Sequence, residues 1–405
     1  MSELARRPLF YGWVVLAVGF VVIGVAVGIL LSLGVFLKPI QAAMQWSRAE
    51  ISGVALFTWC SMGVGSFLWG MLYDRAGSRV VVGGGAVLLG LGLVASSQVT
   101  ALWQLYAALG GLVGLAIGAF TAPLTSAATA WFSTNRGLAV ALIAAGTGIG
   151  TFILAPLSRL LITAYDWRTA MLALAALVWL TMLTLVWLLR DPPEASRAPG
   201  RSGAGLLEPD LSLAEIGRTP QFWVLAATHF VCCVAHSGPI FHMVAHASDQ
   251  GVGQIAAATV FGVSGLMSMV GRLIAGTAAD RIGAKPTLVA MLALQAPAIL
   301  LYALAHDLAV FYAISVIFGV AYGGVMPLYA LLAREFFGQR AMGGAYGAIY
   351  MLQAIAMGLG AFAGGWFHDL LGDYAWFFSA AAAVGVTAVL LALALRAPVR
   401  QVQPA

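Results

Sequence analysis

The sequence predicts an all-α integral membrane protein with twelve transmembrane helices in two six-helix halves. Of its 405 residues, 61% are hydrophobic and only 9% are charged. An ordinary soluble domain carries about 25% charged and about 45–50% apolar residues. This composition excludes a soluble globular protein, since a surface facing water needs more charge. The scarcity of polar residues also excludes a disordered chain.

The apolar residues fall into twelve runs, numbered here as segments one to twelve, each close to or above the ~20 residues that cross a bilayer. In chain order the segments cover residues 12–37, 51–72, 80–99, 101–129, 137–163, 167–190, 221–246, 254–277, 286–305, 308–332, 343–367 and 373–396. Segment one follows Arg6 and Arg7, as the apolar part of a signal peptide would. It is too long for that role, so it is interpreted as the first crossing.

The placement of Lys and Arg predicts that both chain ends are cytoplasmic. With the N-terminus inside, fifteen of the 20 basic residues fall in cytoplasmic stretches. Four fall outside, namely Lys38, Arg48, Arg159 and Arg168. Such an excess on one side is typical of cytoplasmic loops. The chain is therefore expected to be a multi-pass cell-membrane protein, with the bacterial inner membrane as its expected location.

An internal repeat divides the chain. The pattern G-x-x-x-D-R-x-G-x-R/K occurs at residues 70–79 and again at 276–285. A polar, proline-rich stretch at 191–219 lies between the repeats and is predicted to be a cytoplasmic linker. The predicted units are residues 1–190 and residues 220–405. Duplicated six-helix units with a binding site between them are a known transporter plan.

These residues carry a family resemblance. The repeated loop resembles the signature loop of the major facilitator superfamily. Further motifs resemble the monocarboxylate transporter family and its bacterial relatives, including oxalate–formate antiporters. They are Tyr11-Gly12-Trp13, Trp46-Ser47-Arg48, Arg136-Gly137-Leu138, Asp166-Trp167-Arg168 and Gly271-Arg272. The resemblance implies secondary active transport of small monocarboxylates such as lactate or pyruvate, by alternating access and with a proton. Exchange of organic anions is the alternative.

Arg272 is the principal binding candidate. All fifteen acidic residues lie in loops, termini or segment edges, whereas Arg272 lies inside segment eight. A guanidinium in hydrocarbon costs at least ~2.5–3.5 kcal/mol, so it should face a cavity or a partner. With no intramembrane carboxylate available, the predicted partner is a substrate carboxylate held by the planar fork of arginine. The alternative is a side chain that snorkels to the cytoplasmic edge.

Other side chains could shape the pocket. They are Ser268, one helical turn before Arg272, Tyr346, Tyr350 and Gln353 on one face of segment eleven, Tyr322 in segment ten, Thr121 in segment four, and Lys38 at the outer end of segment one. Close helix packing is an equal explanation for the serine. Interfacial packing is the alternative for each tyrosine, and membrane anchoring is the alternative for Lys38. Animal members of the resembled family carry an Asp where this chain has Ser268, so no proton route through that carboxylate is expected here.

Segment seven contains His229, Cys232, Cys233 and His236. A metal site is not expected, because one lipid-embedded helix makes a poor tetrahedral cage and no second ligand pair is present. His229 could carry a proton, since imidazole titrates near neutral pH, or it could simply be packed in the protein. The expected partners are a small monocarboxylate anion, a proton and the lipid bilayer. No cofactor, nucleic acid or protein partner is expected.

The repeated loops are expected to act as gates. The resemblance implies that Asp74 and Arg75 hold the cytoplasmic side shut, and the repeat extends this role to Asp280 and Arg281. The usual excess of positive charge on the cytoplasmic side would explain the two arginines, but it would not explain the two aspartates. An integral-membrane enzyme or a substrate sensor is a remote alternative, because convergent catalytic groups and a large output domain are absent from the sequence.

Overall fold

The computed structural model describes residues 11–132, 136–191, 213–337 and 342–396, in which every regular element is a helix. The expectations for Arg6, Arg7 and most of the 191–219 linker lie outside these residues. Among the described residues, eleven helices are long and apolar enough to cross a membrane. This confirms an all-helical membrane protein.

The helices of the first six segments follow the predicted runs closely. Their bounds are Gly12–Leu31 and Leu33–Met44 for segment one, Arg48–Tyr73 for two, Arg75–Ser97 for three, Arg136–Ala164 for five, and Trp167–Val178, Trp179–Leu183 and Thr184–Val186 for six. Segment two begins at a capping box, in which the Ser47 hydroxyl accepts from the Glu50 N–H and the Glu50 carboxylate accepts from the Ser47 N–H. A short helix, Leu213–Gly217, then precedes segment seven.

The last six segments are continuous helices. Their bounds are Pro220–Asp249, Gln254–Ile282, Ala284–Ala303, Leu308–Phe337, Met342–Leu371 and Ala375–Ala394. The chain reverses between segments eight and nine at Gly283, whose φ of 92° suits glycine. Gly77 occupies the matching position between segments two and three with a φ of 77°. The two loops of the sequence repeat therefore share one backbone geometry.

Segment four differs from the single crossing expected at 101–129. Helical residues run from Leu102 to Ile117, partly as a π-helix, and a second helix covers Thr121–Trp131. Two residues flank the break. A Cβ on Gly118 would collide with the Ser66 backbone of segment two. Pro123 lies in the first turn of the second helix, where its missing N–H needs no partner.

The two sets of six segments pack in the same order. Segment one contacts five, two contacts four and three contacts six. Segment seven contacts eleven, eight contacts ten and nine contacts twelve. Across the two sets, segment five packs on eight, two on eleven and one on seven. Close approaches mark these contacts, since a Cβ on Gly148 would lie 2.6 Å from the Gly265 oxygen.

Candidate functional site

Arg272 lies deeper in its helix than the sequence indicated. The predicted end of segment eight was residue 277, but the helix continues to Ile282. Ten residues therefore follow Arg272, which corresponds to ~15 Å of helix. A side chain at that depth must reach past more than two helical turns to meet the membrane surface. This position favours a cavity-facing role over snorkelling.

The Arg272 guanidinium lies at the contact between segments eight and five. It is half-buried, and its Nη1 donates to the Ala144 carbonyl oxygen of segment five at 3.0 Å. Among the described residues, no carboxylate lies within ion-pair distance of Arg272. One hydrogen bond to a neutral carbonyl leaves most of the five donors of the guanidinium free for an anionic ligand. The site thus has an uncompensated charge at the boundary between the two sets of segments.

The serines beside Arg272 contact segment ten. Ser264 and Ser268 are buried, and the Ser268 hydroxyl donates to the Gly265 oxygen at 2.7 Å. Gly323 of segment ten lies so close to Ser268 that a Cβ there would collide with the Ser268 backbone. The structure supports the packing explanation for these serines. Substrate contact by Ser268 remains a prediction.

Segments ten and eleven carry four of the predicted pocket residues. Tyr322 is buried and stacks on Phe318 with ring centroids 5.6 Å apart. Gln353 is 6% exposed, and its Oε1 has no hydrogen-bond partner among the described residues. Tyr350 is half-buried, while the Tyr346 side chain lies outside the described part of the structure. In the described part of segment eleven, Gln353 Oε1 and His368 Nδ1 are the buried side-chain atoms without a hydrogen-bond partner.

His229 lies in a buried polar cluster inside the last six segments. Its ring stacks on Tyr329 at 3.8 Å, and neither of its nitrogens has a hydrogen-bond partner in the described residues. Two turns after His229, His236 Nδ1 lies 3.6 Å from Cys232 Sγ, which in turn lies 3.5 Å from Gln295 Oε1. No group of three potential metal ligands occurs among the residues described. In this cluster, the atoms without a hydrogen-bond partner among the described residues are the two ring nitrogens of His229 and the Nε2 of Gln295.

Lys38 belongs to an ion cluster that sequence reasoning missed. Its Nζ lies 2.7 Å from the Asp249 carboxylate at the end of segment seven. The Arg48 guanidinium of segment two binds the same carboxylate through Nη1 and Nη2. Asp249 thereby joins segments one, two and seven. The sequence signal was available, because Lys38 and Arg48 are two of only four basic residues on their side.

A second carboxylate strengthens the same end. Asp369 of segment eleven accepts the Arg48 N–H at 3.2 Å and the Ala49 N–H at 2.7 Å. It thereby satisfies free N–H groups at the start of segment two, where negative charge is favoured. The Arg48 guanidinium also lies over the Tyr374 ring at 5.2 Å. This end is called the Asp249 end below, and the opposite one the Asp280 end.

The two ends differ in how the halves meet. At the Asp249 end, ion pairs join the two sets of segments. Mainly apolar side chains of segments one, two, four, seven and eleven also line a common cavity there. At the Asp280 end, the hydrogen bonds that described residues make with one another stay within one set of six. Among the described residues, the polar contacts that join the two sets of segments therefore lie at the Asp249 end, apart from the single hydrogen bond from Arg272 to Ala144.

The predicted gate residues lie at the Asp280 end. Arg75, Asp280 and Arg281 are exposed, and the Asp74 side chain lies outside the described part of the structure. The last basic residue of each loop has a defined contact. Arg79 donates to the Trp187 and Leu189 carbonyls at 3.0 Å each.

Lys285 repeats that contact in the second set of segments. It donates to the Leu393 and Leu395 carbonyls at 2.9 and 2.6 Å. Donor and acceptors are all shifted by the 206 residues that separate the two loops. Each loop therefore closes the C-terminal turn of its own sixth helix, where carbonyl oxygens lack intrahelical partners.

Thr121, a predicted pocket residue, is exposed at the start of the second helix of segment four.

Comparisons with known proteins agree with this architecture. A family model described as the Major Facilitator Superfamily matches residues 15–361 and 274–405. Monocarboxylate transporter 13 of Bos taurus is 28% identical over 375 residues, which cover 92% of this chain and 86% of that protein. The uncharacterized MFS-type transporter YhjX of Escherichia coli (strain K12) is 28% identical over 347 residues, or 84% of each chain.

A solved structure shares the fold. The crystal structure of the nucleoside transporter NupG superposes with a TM-score of 0.76 at 13% identity. The superposition covers 95% of this chain and 99% of that one. At this identity the likeness concerns the fold alone.

Proposed function

Because the chain belongs to the Major Facilitator Superfamily, we propose that it is a secondary active transporter of small monocarboxylates such as lactate or pyruvate. Its relatives and structural neighbours are transporters, and the chain is a membrane transporter related to monocarboxylate transporters rather than an enzyme. The finer statement, that the cargo is a monocarboxylate, is the proposal. It is supported by the chemistry of one residue.

That residue is Arg272. It is a permanent cation deep in segment eight, and its only hydrogen bond among the described residues goes to the neutral Ala144 oxygen. A cation without a counter-charge is costly inside a membrane segment, and an anionic cargo would supply the missing charge. One such cation balances one carboxylate. Gln353 and Tyr350 of segment eleven, together with Tyr346 and Tyr322, would surround the rest of a small cargo.

We place twelve crossings in the membrane, with segment four crossing as two shorter helices and both termini in the cytoplasm. The domains proposed are residues 1–190 and 220–405, connected by the 191–219 linker. The Asp280 end would then face the cytoplasm, and the structure would be the state open to that side. Transport would proceed by rocking of the two halves about the Arg272 site. In a bacterium the location would be the inner membrane.

A proton is proposed to move with the anion. The described carboxylates lie at the ends of the segments, so no acidic side chain in the core is available to carry it. His229 is the candidate carrier, because it is buried and both ring nitrogens are without partners in the described residues. Cotransport with a proton would make net movement of a monoanion electrically neutral.

The test is uptake of a panel of radiolabelled small acids into proteoliposomes. We expect lactate or pyruvate to accumulate when the interior is alkaline, above the passive entry measured in protein-free liposomes. Accumulation should collapse when a protonophore removes the gradient. If uptake occurs only after the liposomes are loaded with another carboxylate, the protein is an exchanger and not a symporter. If no monocarboxylate is taken up in either mode, the proposed cargo is wrong.

A further inference from the structure

His368 is a titratable side chain at the Asp249 end that the proposed transport mechanism does not use. It lies near the end of segment eleven, and its side chain is 18% exposed. Its Nε2 lies 3.9 Å from Asp249 Oδ2, and its Nδ1 lies 3.8 Å from Asp369 Oδ1. Both distances are too long for a hydrogen bond, and the buried Nδ1 has no partner among the described residues. The ring therefore lies between two carboxylates without being bound to either.

The other histidines at this end are each fixed by a hydrogen bond. The Nε2 atoms of His242 and His246 lie 2.7 and 2.8 Å from backbone carbonyl oxygens. His306 Nδ1 lies 2.8 Å from the side-chain oxygen of Gln250. Among the described residues, none of these three rings lies within ion-pair distance of a carboxylate. His368 is therefore the histidine whose charge would act directly on the ion pairs at this end.

The two oxygens nearest His368 are the ones that Arg48 holds. Asp249 Oδ2 accepts from Arg48 Nη1, and Asp369 Oδ1 accepts from the Arg48 backbone N–H at 3.2 Å. His368 and both carboxylates belong to segments seven and eleven, whereas Arg48 belongs to segment two. A protonated imidazole has an N–H donor on each nitrogen. A proton on His368 would thus let its ring compete with Arg48 for two acceptors that join the halves.

The charges at this contact balance when His368 is neutral. Lys38 and Arg48 contribute two positive charges from the first half, and Asp249 and Asp369 contribute two negative charges from the second. A proton on His368 adds a positive charge to the second half, so its net charge here falls from two negative to one. The added charge would also repel both cations across the boundary. The attraction between the halves would therefore weaken.

The remaining groups that face the ring come from segments seven and twelve. The Tyr374 ring lies beside His368 with centroids 4.7 Å apart, and His242 is the neighbouring histidine of segment seven. The Tyr374 hydroxyl lies 3.1 Å from His242 Nδ1, so these two groups are bound to each other. The two carboxylates and Arg48 are thus the charged groups that a proton on His368 would meet.

We propose that His368, Asp249 and Asp369 form a proton-binding site, and that a proton bound there releases Arg48 and opens the Asp249 end. Imidazole changes its charge between about pH 5 and 8, so the end should open as the pH falls through that range. The inference requires only that the two halves separate at this end, and it does not depend on the proposed cargo. With the orientation proposed above, an acidic exterior would favour the state open to the outside.

The test measures opening of the Asp249 end in purified full-length protein without cargo. Spin labels at Thr100→Cys and Ile255→Cys, in a background without the three native cysteines, mark exposed positions in different halves at this end. We expect the ratio of the long-distance to the short-distance population to rise about fivefold or more between about pH 8 and about pH 5.5. A factor of this size corresponds to the loss of about one partly exposed ion pair.

Three variants assign the response to His368. His368→Gln cannot gain a charge, so the ratio should stay at the parent's alkaline value throughout the range. His368→Lys carries the charge throughout, so at alkaline pH it should match the acidified parent. His306→Gln removes an exposed histidine at the same end and should respond as the parent does. Monodispersity and thermal unfolding identify variants that fail to fold, and His368→Asn then replaces His368→Gln.

The outcomes are distinct. A parent ratio that does not change with pH overturns the proposal, and so does a His368→Gln response equal to that of the parent, because the proton would then bind elsewhere. A parent ratio that falls on acidification contradicts the release of Arg48. Failure of monocarboxylate uptake in proteoliposomes would reject the proposed cargo and leave this proposal intact.

Discussion

The Arg48 guanidinium of segment two donates to the Asp249 carboxylate of segment seven with an Nη1–Oδ2 distance of 2.5 Å. The two residues are 201 positions apart and belong to different halves. Arg48 is 6% exposed, so this contact is more strongly shielded from solvent than an ordinary surface ion pair. With Lys38 and Asp369 it forms the main polar connection that keeps the Asp249 end closed.

Asp249→Asn should therefore shift the protein toward a state open at this end. The neutral amide keeps the shape of the side chain but loses both ion pairs. The expected cost to the closed state is on the order of 1–3 kcal/mol, between the values for exposed and buried pairs. Spin labels at Ala43→Cys and Asp307→Cys, in a background without the three native cysteines, would report the opening as a longer distance population.

A matched carboxylate at the same end provides the control. Asp373 is exposed and accepts only the nearby Ala375 N–H among described residues, a role that asparagine can keep. Asp373→Asn should leave the distance distribution as in the parent protein. An unchanged distribution in Asp249→Asn as well would mean that the Asp369 contacts and apolar packing close this end without the Asp249 ion pairs.

Arg272→Lys tests the central site. Lysine keeps the positive charge but lacks the planar fork that binds a carboxylate through two parallel hydrogen bonds. We expect substrate affinity at this site to fall about tenfold or more, with little change in thermal unfolding. Arg334→Lys, at an exposed position of segment ten, should bind as the parent does. Parent affinity in Arg272→Lys would remove Arg272 from the site.

Arg79→Ala tests the contact that closes the sixth helix. Loss of two hydrogen bonds from a charged donor should lower the free energy of unfolding by about 1–3 kcal/mol. Substrate affinity should change little, because the contact is far from Arg272 in the fold. Arg79→Lys should recover most of the stability, since Lys285 makes the equivalent contact in the other half. Thermal unfolding in detergent measures both variants, and equal melting of Arg79→Ala and the parent would argue against the contact.

His229→Gln tests proton coupling. Glutamine keeps polarity and removes the titratable ring, so accumulation driven by an alkaline interior should be lost while exchange of labelled for unlabelled acid continues. Exchange requires no net proton movement, and it therefore serves as the internal control. Accumulation equal to that of the parent would show that the proton travels by another route.

Asp74→Asn tests the loop at the Asp280 end. We expect binding at the Arg272 site to remain within about twofold, because the substitution leaves that site unaltered, and turnover to fall strongly because the gate role is lost. The ratio of turnover to affinity distinguishes a gate from a binding residue. If turnover equals that of the parent, the loop has no gating role and only helps to set the orientation of the helices in the membrane.

The sequence by itself predicted the all-helical membrane fold and the family, and it singled out Arg272 as the main candidate. Three features are visible along the chain without knowledge of any contact: the length of the apolar runs, the placement of Arg and Lys, and the 206-residue repeat. The first two predict membrane crossings and their orientation segment by segment. The same applies to Arg272, because a single permanent cation within an apolar run is visible without any contact map. The capping box at Ser47 and Glu50 was equally predictable, since its partners are three residues apart.

Only the tertiary structure decided which faces meet. Lipid is as apolar as the protein interior, so a helix that is apolar all round carries no signal for the side it turns toward its neighbours. For that reason the sequence left open whether Ser268 packs on segment ten, and it did not show which carboxylate Lys38 and Arg48 would meet. The same reason hid the burial of Arg159, which counts as one more outer cation in the sequence but is only 8% exposed in the fold.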